Sequence, residues 1–128
     1  MSGNKHILIL DDDPDICTMI KMVLEYHGFM AIEADNEEKA NQVLSSQQVD
    51  LIIMDMLLSG VDGTDVCRRI KSDKEKRSIP VLMFSAHPTA KETCLSAGAD
   101  DFIPKPFEMN ELIAKINFLI ERKPISQH

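Results

Sequence analysis

Short aliphatic runs alternate along the chain with longer segments in which apolar residues recur every three or four positions. The aliphatic runs cover residues 7–10, 29–32, 51–54, 81–84 and 102–103. Runs this short, bounded by Gly, Pro, Asp or Ser, are typical of strands that are buried on both faces of a sheet. The pattern therefore predicts five buried strands.

The segments that follow these runs have the spacing of amphipathic helices. Asp13 is placed to cap the first helix, Pro14 suits its first turn, and Gly28 is placed to stop it. Asn36 is a candidate cap for the second helix, and the third starts near Thr64. The fourth, over residues 89–97, has weak helix formers and is expected to be short, whereas residues 112–120 form a strong fifth helix.

The alternation of five strands and five helices predicts the fold class. Strands joined through helices by short links form a parallel sheet with right-handed crossovers and helices on both faces. We therefore predict an α/β, doubly wound, five-stranded parallel sheet flanked by five helices. Residues 1–123 are expected to form a single domain, with 124–128 as a tail.

Composition narrows the functional classes. The 44% hydrophobic and 27% charged content is typical of a globular protein, and no apolar run is long enough to span a membrane. A net charge of −7 disfavours direct nucleic-acid binding. No signal peptide is evident, and the three cysteines (Cys17, Cys67, Cys94) lack ligand spacing. They are interpreted as core thiols of a cytoplasmic protein.

Polar residues stand at the ends of four predicted strands. The acidic residues 11–13 follow the first strand, Asp55 follows the third, Ser85 the fourth, and Lys105 the fifth. In open parallel sheets, sites form outside the carboxyl ends of the strands. Each residue alone has an ordinary interpretation as a helix cap, turn residue or exposed side chain, and for Asp13 the cap is preferred. Their common position at one edge favours a shared site.

The chemistry of that edge suggests a cation and a phosphoryl group. Two carboxylates about 4 Å apart repel by about 4 kcal/mol at an effective dielectric of about 20. A site with Asp11, Asp12 and Asp55 should therefore raise a pKa or bind a cation. Mg²⁺ prefers oxygen ligands and keeps waters that a phosphate can displace. Lys105 and Ser85 would then contact the phosphoryl oxygens.

Four motifs in order carry a resemblance to a known family. They read ILILDDDPDI, DLIIMDMLLSGVDG, PVLMFSA and GADDFIPKPF. With these motifs the chain resembles the receiver domain of two-component response regulators over essentially its whole length. The resemblance implies a flavodoxin-like fold with strand order 2-1-3-4-5. It also implies a signalling domain that catalyses only its own phosphorylation and dephosphorylation, and is otherwise no enzyme.

The resemblance assigns roles to the site residues. Asp55 would be the phosphoacceptor, and Lys105 would pair with the phosphoryl group, its bond to Pro106 being cis. Asp11, Asp12, Asp55 and the backbone carbonyl of Leu57 would bind Mg²⁺, with Mn²⁺ as an alternative ion. No organic cofactor is expected.

The resemblance also implies a switch and partners. Ser85 would move toward the phosphoryl group and Phe102 would fill the space it leaves, although Phe102 could equally be a plain core aromatic. The surface of the fourth helix, fifth strand and fifth helix would then repack. The expected partners are a sensor histidine kinase or histidine phosphotransfer protein, and an unidentified output protein or effector domain, with no contact to nucleic acid or membrane.

Two other functions share features with this sequence. A phosphohydrolase of the haloacid-dehalogenase type has an Asp-x-Asp pair after its first strand, which Asp11 and Asp13 fit, but Asp15 stands where Thr or Val is expected. A pseudo-receiver that only binds partners is disfavoured by the complete set of site residues. The bulky Leu57 beside Asp55 further predicts slow dephosphorylation.

Overall fold

A five-stranded parallel sheet lies at the centre of the protein. The computed structural model describes residues 4–58, 60–87 and 89–121. The strand order is β2-β1-β3-β6-β7, which confirms the doubly wound prediction. The strands in chain order are β1 His6–Leu10, β2 Met30–Ala34, β3 Leu51–Asp55, β4 Leu57–Leu58, β5 Val61–Asp62, β6 Val81–Ser85 and β7 Asp101–Pro104. The predicted fourth and fifth strands are thus β6 and β7. The predicted tail, 124–128, lies outside the described residues.

The two extra strands form a short β-hairpin, with two residues in each strand, that the hydrophobic pattern did not indicate. β4 and β5 pair antiparallel directly after β3 and form a separate small sheet. Gly60 lies between them with φ +69°, a conformation that glycine adopts without strain. The hairpin places Leu57 two residues beyond the end of β3.

Four helices connect strands of the described chain and a fifth follows β7; side chains cap the first three helices. The helices are α1 Pro14–Tyr26, α2 Glu37–Ser46, α3 Gly63–Ser72, α4 Ala90–Ser96 and α5 Met109–Glu121.

The predicted caps are confirmed. Asp13 Oδ1 accepts a hydrogen bond from the Asp15 amide at 2.9 Å, and Asn36 Oδ1 accepts one from the Lys39 amide at 2.9 Å. Helix α3 starts at Gly63, close to Thr64 as predicted, and the Asp62 side chain caps it by accepting the Thr64 amide. Helix α4 has seven residues and no side-chain cap bond, in line with its weak helix formers.

The inner strands β1, β3 and β6 are buried on both faces of the sheet, as predicted, with alternate side chains pointing to opposite sides. The prediction of five buried strands is wrong for the edge strand β2, in which Ala34 alone is buried, and holds only for the middle of the other edge strand, β7. One core lies between the sheet and α2, α3 and α4, and the other between the sheet and α1 and α5. All three cysteines are buried and free, as the sequence predicted. This arrangement leaves the strand ends as the place where polar side chains can reach solvent.

An ion pair fixes the amino end of β6, away from those strand ends. Lys71 Nζ lies 2.8 Å from Asp100 Oδ2 and donates to the carbonyl oxygens of Arg77 and Ile79. The same carboxylate oxygen accepts the Val81 amide at 2.8 Å. Both side chains are largely buried, so the pair ties α3, the loop that follows it and the start of β6 together.

Gly63 allows α3 to begin directly against the end of β3. Its amide donates to the Met56 carbonyl oxygen at 2.6 Å. A β-carbon at position 63 would collide with the backbone oxygens of Asp55 and Met56, the second at 2.7 Å. Because the backbone on both sides is fixed by helix and strand, this collision could not be relieved without moving Asp55.

We expect Gly63→Ala to lower the free energy of unfolding by about 1–3 kcal/mol, because the added methyl group overpacks a backbone contact. Urea unfolding followed by circular dichroism measures this change. Ser72→Ala, at the exposed end of the same helix, is the control and should change stability by less than about 0.5 kcal/mol. Equal stability of the two variants would contradict the proposed close approach.

Candidate functional site

The carboxyl ends of four strands bring the predicted site residues to one edge of the sheet. Asp55 is the last residue of β3 and Ser85 the last of β6, while Asp11 follows β1 and Lys105 follows β7. The register pairs Asp55 with Phe84 across β3 and β6. The Lys105 amide also donates to the Ser85 carbonyl oxygen at 2.9 Å, which fixes where the lysine leaves the sheet.

Asp55 and Lys105 are in direct contact. Lys105 Nζ donates to Asp55 Oδ2 at 3.4 Å, and the Leu57 amide donates to Asp55 Oδ1 at 3.2 Å. Asp55 is 9% exposed, so its carboxylate lies at the border of the core and keeps a small contact with solvent. The carboxylate is thus oriented by one cation and one backbone donor, and stays accessible to a reactant.

Asp11 is a buried carboxyl group that lacks full compensation. It is 1% exposed, and its Oδ1 accepts the Asp13 amide at 3.0 Å. Among the described residues, Oδ2 is the one buried side-chain polar atom without a hydrogen-bond partner. Burial is the main cause that raises the pKa of Asp11 from 3.8 to about 6; the Asp13 amide lowers it, and the Asp55 charge raises it further.

These residues fit a divalent cation. The unpartnered Asp11 oxygen and the Asp55 carboxylate lie at the same edge, with the half-buried Asp12 beside them. In the described part of the chain, no group of three His, Cys, Asp or Glu side chains is arranged to hold a metal ion by itself. Mg²⁺ does not need such a group, because it binds through one or two carboxylates and keeps several waters.

Ser85 and Phe102 lie on the other side of the sheet from the phenyl ring of Phe84. Ser85 is 2% exposed, and its Oγ accepts the His87 amide at 3.0 Å, which leaves the hydroxyl proton available for donation. Phe102 is 6% exposed and packs in the core beneath α2, α3 and α4. Phe102 is therefore already buried here, and the inward movement predicted from the sequence stays a prediction.

Two neighbours of the site were not singled out from the sequence. The Phe84 ring lies under Lys105, with Nζ 4.7 Å from the ring centroid. Cys17 Sγ donates to the backbone oxygen of Asp11 at 3.2 Å. Both residues belong to apolar patterns, which indicate burial but not the polar group that a buried side chain contacts. The Lys105–Pro106 peptide bond is cis, as the resemblance implied.

The fold is that of a doubly wound α/β protein with an acidic site at the carboxyl ends of its parallel strands. The chain matches the response regulator receiver domain family over residues 7–117. It therefore belongs to that family, whose members are signalling domains with phosphoryl acceptance as their general function.

Three relatives illustrate this family. The chain is 38% identical over 120 residues to the phosphate regulon transcriptional regulatory protein PhoB of Pseudomonas aeruginosa, covering 92% of this chain and 52% of that protein. The receiver domain of sensor histidine kinase PA1611 from Pseudomonas aeruginosa PAO1 has a TM-score of 0.85 at 28% identity, covering 94% and 100% of the two chains. Its crystal structure has a magnesium ion coordinated in the active site cleft.

Response regulator protein TrrA from Thermotoga maritima, in complex with Mg²⁺-BeF, has a TM-score of 0.80 at 30% identity, covering 90% of this chain and 98% of that one. The chain spans about half the length of the curated relatives it matches. Within residues 4–58, 60–87 and 89–121, no helix has the length and apolar character that a membrane span requires.

The raised pKa of Asp11 makes stability depend on pH in a defined direction. The folded chain holds this proton more tightly than the unfolded chain, so folding stability falls as pH rises from about 4 to about 6. In metal-free buffer at pH 7, we expect Asp11→Asn to be more stable than the wild type by about 1–3 kcal/mol. The difference should disappear near pH 4.

Urea unfolding in EDTA at the two pH values measures this difference, and added Mg²⁺ should then stabilise the wild type more than Asp11→Asn. Asp15→Asn is the matched control, because Asp15 is an exposed acid in the first turn of α1. It should lose no more than about 0.5 kcal/mol. A wild type as stable as Asp11→Asn at pH 7 without metal would contradict this account.

Proposed function

We propose that Asp55 accepts a phosphoryl group from a phosphohistidine on a sensor histidine kinase or histidine phosphotransfer protein. The observation that carries this proposal is the accessible Asp55 carboxylate, held by Lys105 at 3.4 Å beside the uncompensated Asp11. A carboxylate at the end of a buried strand, next to an ammonium group and a site suited to a cation, is equipped to receive a phosphoryl group.

In the proposed reaction, a carboxylate oxygen of Asp55 forms a bond to phosphorus while the bond between phosphorus and the histidine nitrogen breaks. The leaving imidazole takes up a proton. Lys105 pairs with the transferred oxygens as a positive charge, and the Ser85 hydroxyl donates to one of them.

Asp11, Asp12, Asp55 and the carbonyl oxygen of Leu57 would hold Mg²⁺, with Mn²⁺ as an alternative. The bound ion would neutralise charge between the carboxylates and the phosphoryl oxygens. This ligand set is supported by the unpartnered Asp11 oxygen and by the raised pKa of that carboxyl group.

The proposed output begins at Ser85. The Ser85 Oγ now accepts a hydrogen bond from the His87 amide at 3.0 Å. To donate to the phosphoryl group, this oxygen would move away from that amide. Phe102 lies on β7 in the same core as α4, and α5 follows β7 along the chain. A shift of Ser85 would therefore reach α4 and β7 first, and through β7 the surface that α4, β7 and α5 form. An unidentified output protein or effector domain would bind that surface, in a cytoplasmic setting and without direct contact to nucleic acid or membrane.

The phosphohydrolase alternative is disfavoured by the position of Asp13. Its side chain caps α1 by accepting the amides of Asp15 and Ile16, at 2.9 and 3.4 Å. Its Oδ1 is therefore engaged in capping, whereas the phosphohydrolase mechanism would need this side chain to act together with Asp11. The family match over residues 7–117 favours the receiver function for the same chain.

Incubation with acetyl phosphate and Mg²⁺ tests the central proposal. We expect a gain of one phosphoryl group by intact mass spectrometry, and no gain in the presence of EDTA. Asp55→Asn should abolish the gain because the acceptor oxygen is lost, whereas Asp65→Asn, an exposed acid in α3, should retain it. No gain in the wild type, or a gain that survives Asp55→Asn, would overturn the proposal.

Leu57 should slow hydrolysis of the phosphorylated form. Leu57 is 68% exposed and its amide donates to Asp55 Oδ1, so a bulky apolar residue lies next to the carboxylate, in a position suited to hinder water. We expect Leu57→Ala to speed loss of the phosphoryl group by about two- to tenfold, as a small decrease in barrier implies.

The decay of the phosphorylated species, followed by mass spectrometry after donor removal, measures this rate. Val61→Ala, in the facing strand of the same hairpin, is the control and should decay as the wild type does. An unchanged or slower decay in Leu57→Ala would show that Leu57 does not restrict water.

A further inference from the structure

The ammonium group of Lys105 lies between a carboxylate and an aromatic ring. Its Nζ is 3.4 Å from Asp55 Oδ2 and 4.7 Å from the centroid of the Phe84 ring. A cation within about 6 Å of a ring centroid and over its face is attracted by the negative face of the π system. Two attractive contacts of different kinds thus act on the same ammonium group.

The Phe84 ring is fixed by the sheet and by its neighbours. Phe84 is fully buried, and it pairs in register with Asp55 on one side and Ile103 on the other. Paired residues of parallel strands point to the same face, so the ring and the Asp55 carboxylate share one side of the sheet. The Phe107 ring packs edge-on against Phe84, with centroids 5.9 Å apart and an angle of 76°.

Among the residues that the structure describes, Asp55 provides the one hydrogen bond and ion pair of the Lys105 ammonium group. The Lys105 side chain is 26% exposed, and its long stem would allow the ammonium group several positions at the strand ends. The ring covers one side of the ammonium group with an apolar but electrostatically attractive surface. Water is kept from that side, and the attraction between Lys105 and Asp55 is correspondingly less screened.

We propose that Phe84 is a positioning residue for Lys105, which holds the ammonium group beside Asp55 before a phosphoryl group arrives. The catalytic consequence of this inference rests on the function proposed for Asp55, but the contact between Lys105 and the Phe84 ring does not depend on that function. A Leu or Met at position 84 would fill the core but offer no π face, so the contact is open to a direct test.

The first measurement is the chemical shift of the Lys105 Cε protons in lysine-labelled protein, assigned with Lys105→Arg. A ring beneath the ammonium group should shift these protons upfield. We expect the shift to be lost in Phe84→Leu and in Phe84→Met, the second variant guarding against a packing defect peculiar to leucine. Phe107→Leu removes a neighbouring ring but keeps the π face of Phe84, and should retain most of the shift.

The second measurement is the rate of phosphorylation by acetyl phosphate with Mg²⁺. We expect both Phe84 variants to react about three- to tenfold more slowly, as loss of a cation–π contact implies, and Phe107→Leu to react as the wild type. In a Lys105→Gln background, Phe84→Leu should cause no further loss, because its effect acts through the lysine.

The outcomes separate the two proposals. An unchanged Lys105 shift in both folded Phe84 variants, or an equal loss of rate in the presence and absence of Lys105, would overturn the positioning role. A wild type that shows the upfield shift but gains no phosphoryl group would overturn the function proposed for Asp55, while the contact between Lys105 and the Phe84 ring would stand.

Discussion

The charge balance at the carboxyl edge of the sheet is the constraint on which the rest of the site depends. Apolar strands that are buried on both faces end in Asp11 and Asp55, so carboxylates stand at the border of the core. One cation from the protein, Lys105, is in contact with Asp55, and the buried Asp11 oxygen has no partner. The protein alone leaves the edge short of positive charge, which suits it to an added cation and a phosphoryl group.

The fold shapes this edge through a close approach between the backbone at the start of α3 and the backbone at the end of β3. Gly63 lets α3 start against the carbonyl oxygens of Asp55 and Met56, and the hairpin of β4 and β5 turns the chain within a few residues. The Leu57 amide can then reach Asp55 Oδ1. The Asp55 carboxylate is thus oriented by a backbone amide at one oxygen and by Lys105 at the other, and the fold sets where both donors lie.

Much of this arrangement follows from local chemistry and could be predicted. Neighbouring residue types predict the helix caps Asp13 and Asn36 and the short length of α4, because capping and helix propensity act within a few positions. The strand ends bearing Asp55, Ser85 and Lys105 follow from the alternation of strands and helices. The hairpin of β4 and β5 was missed, since two-residue strands have no periodicity to detect.

The sequence by itself determined the order of strands and helices and the kinds of polar group at one edge, because burial pattern and capping are local properties. Only the tertiary structure decided which groups are in contact. Lys71 with Asp100, and Lys105 with both Asp55 and Phe84, are pairs that the sheet register and helix packing bring together. An apolar pattern shows that Phe84 is buried, but only the folded chain shows that a cation lies on its ring.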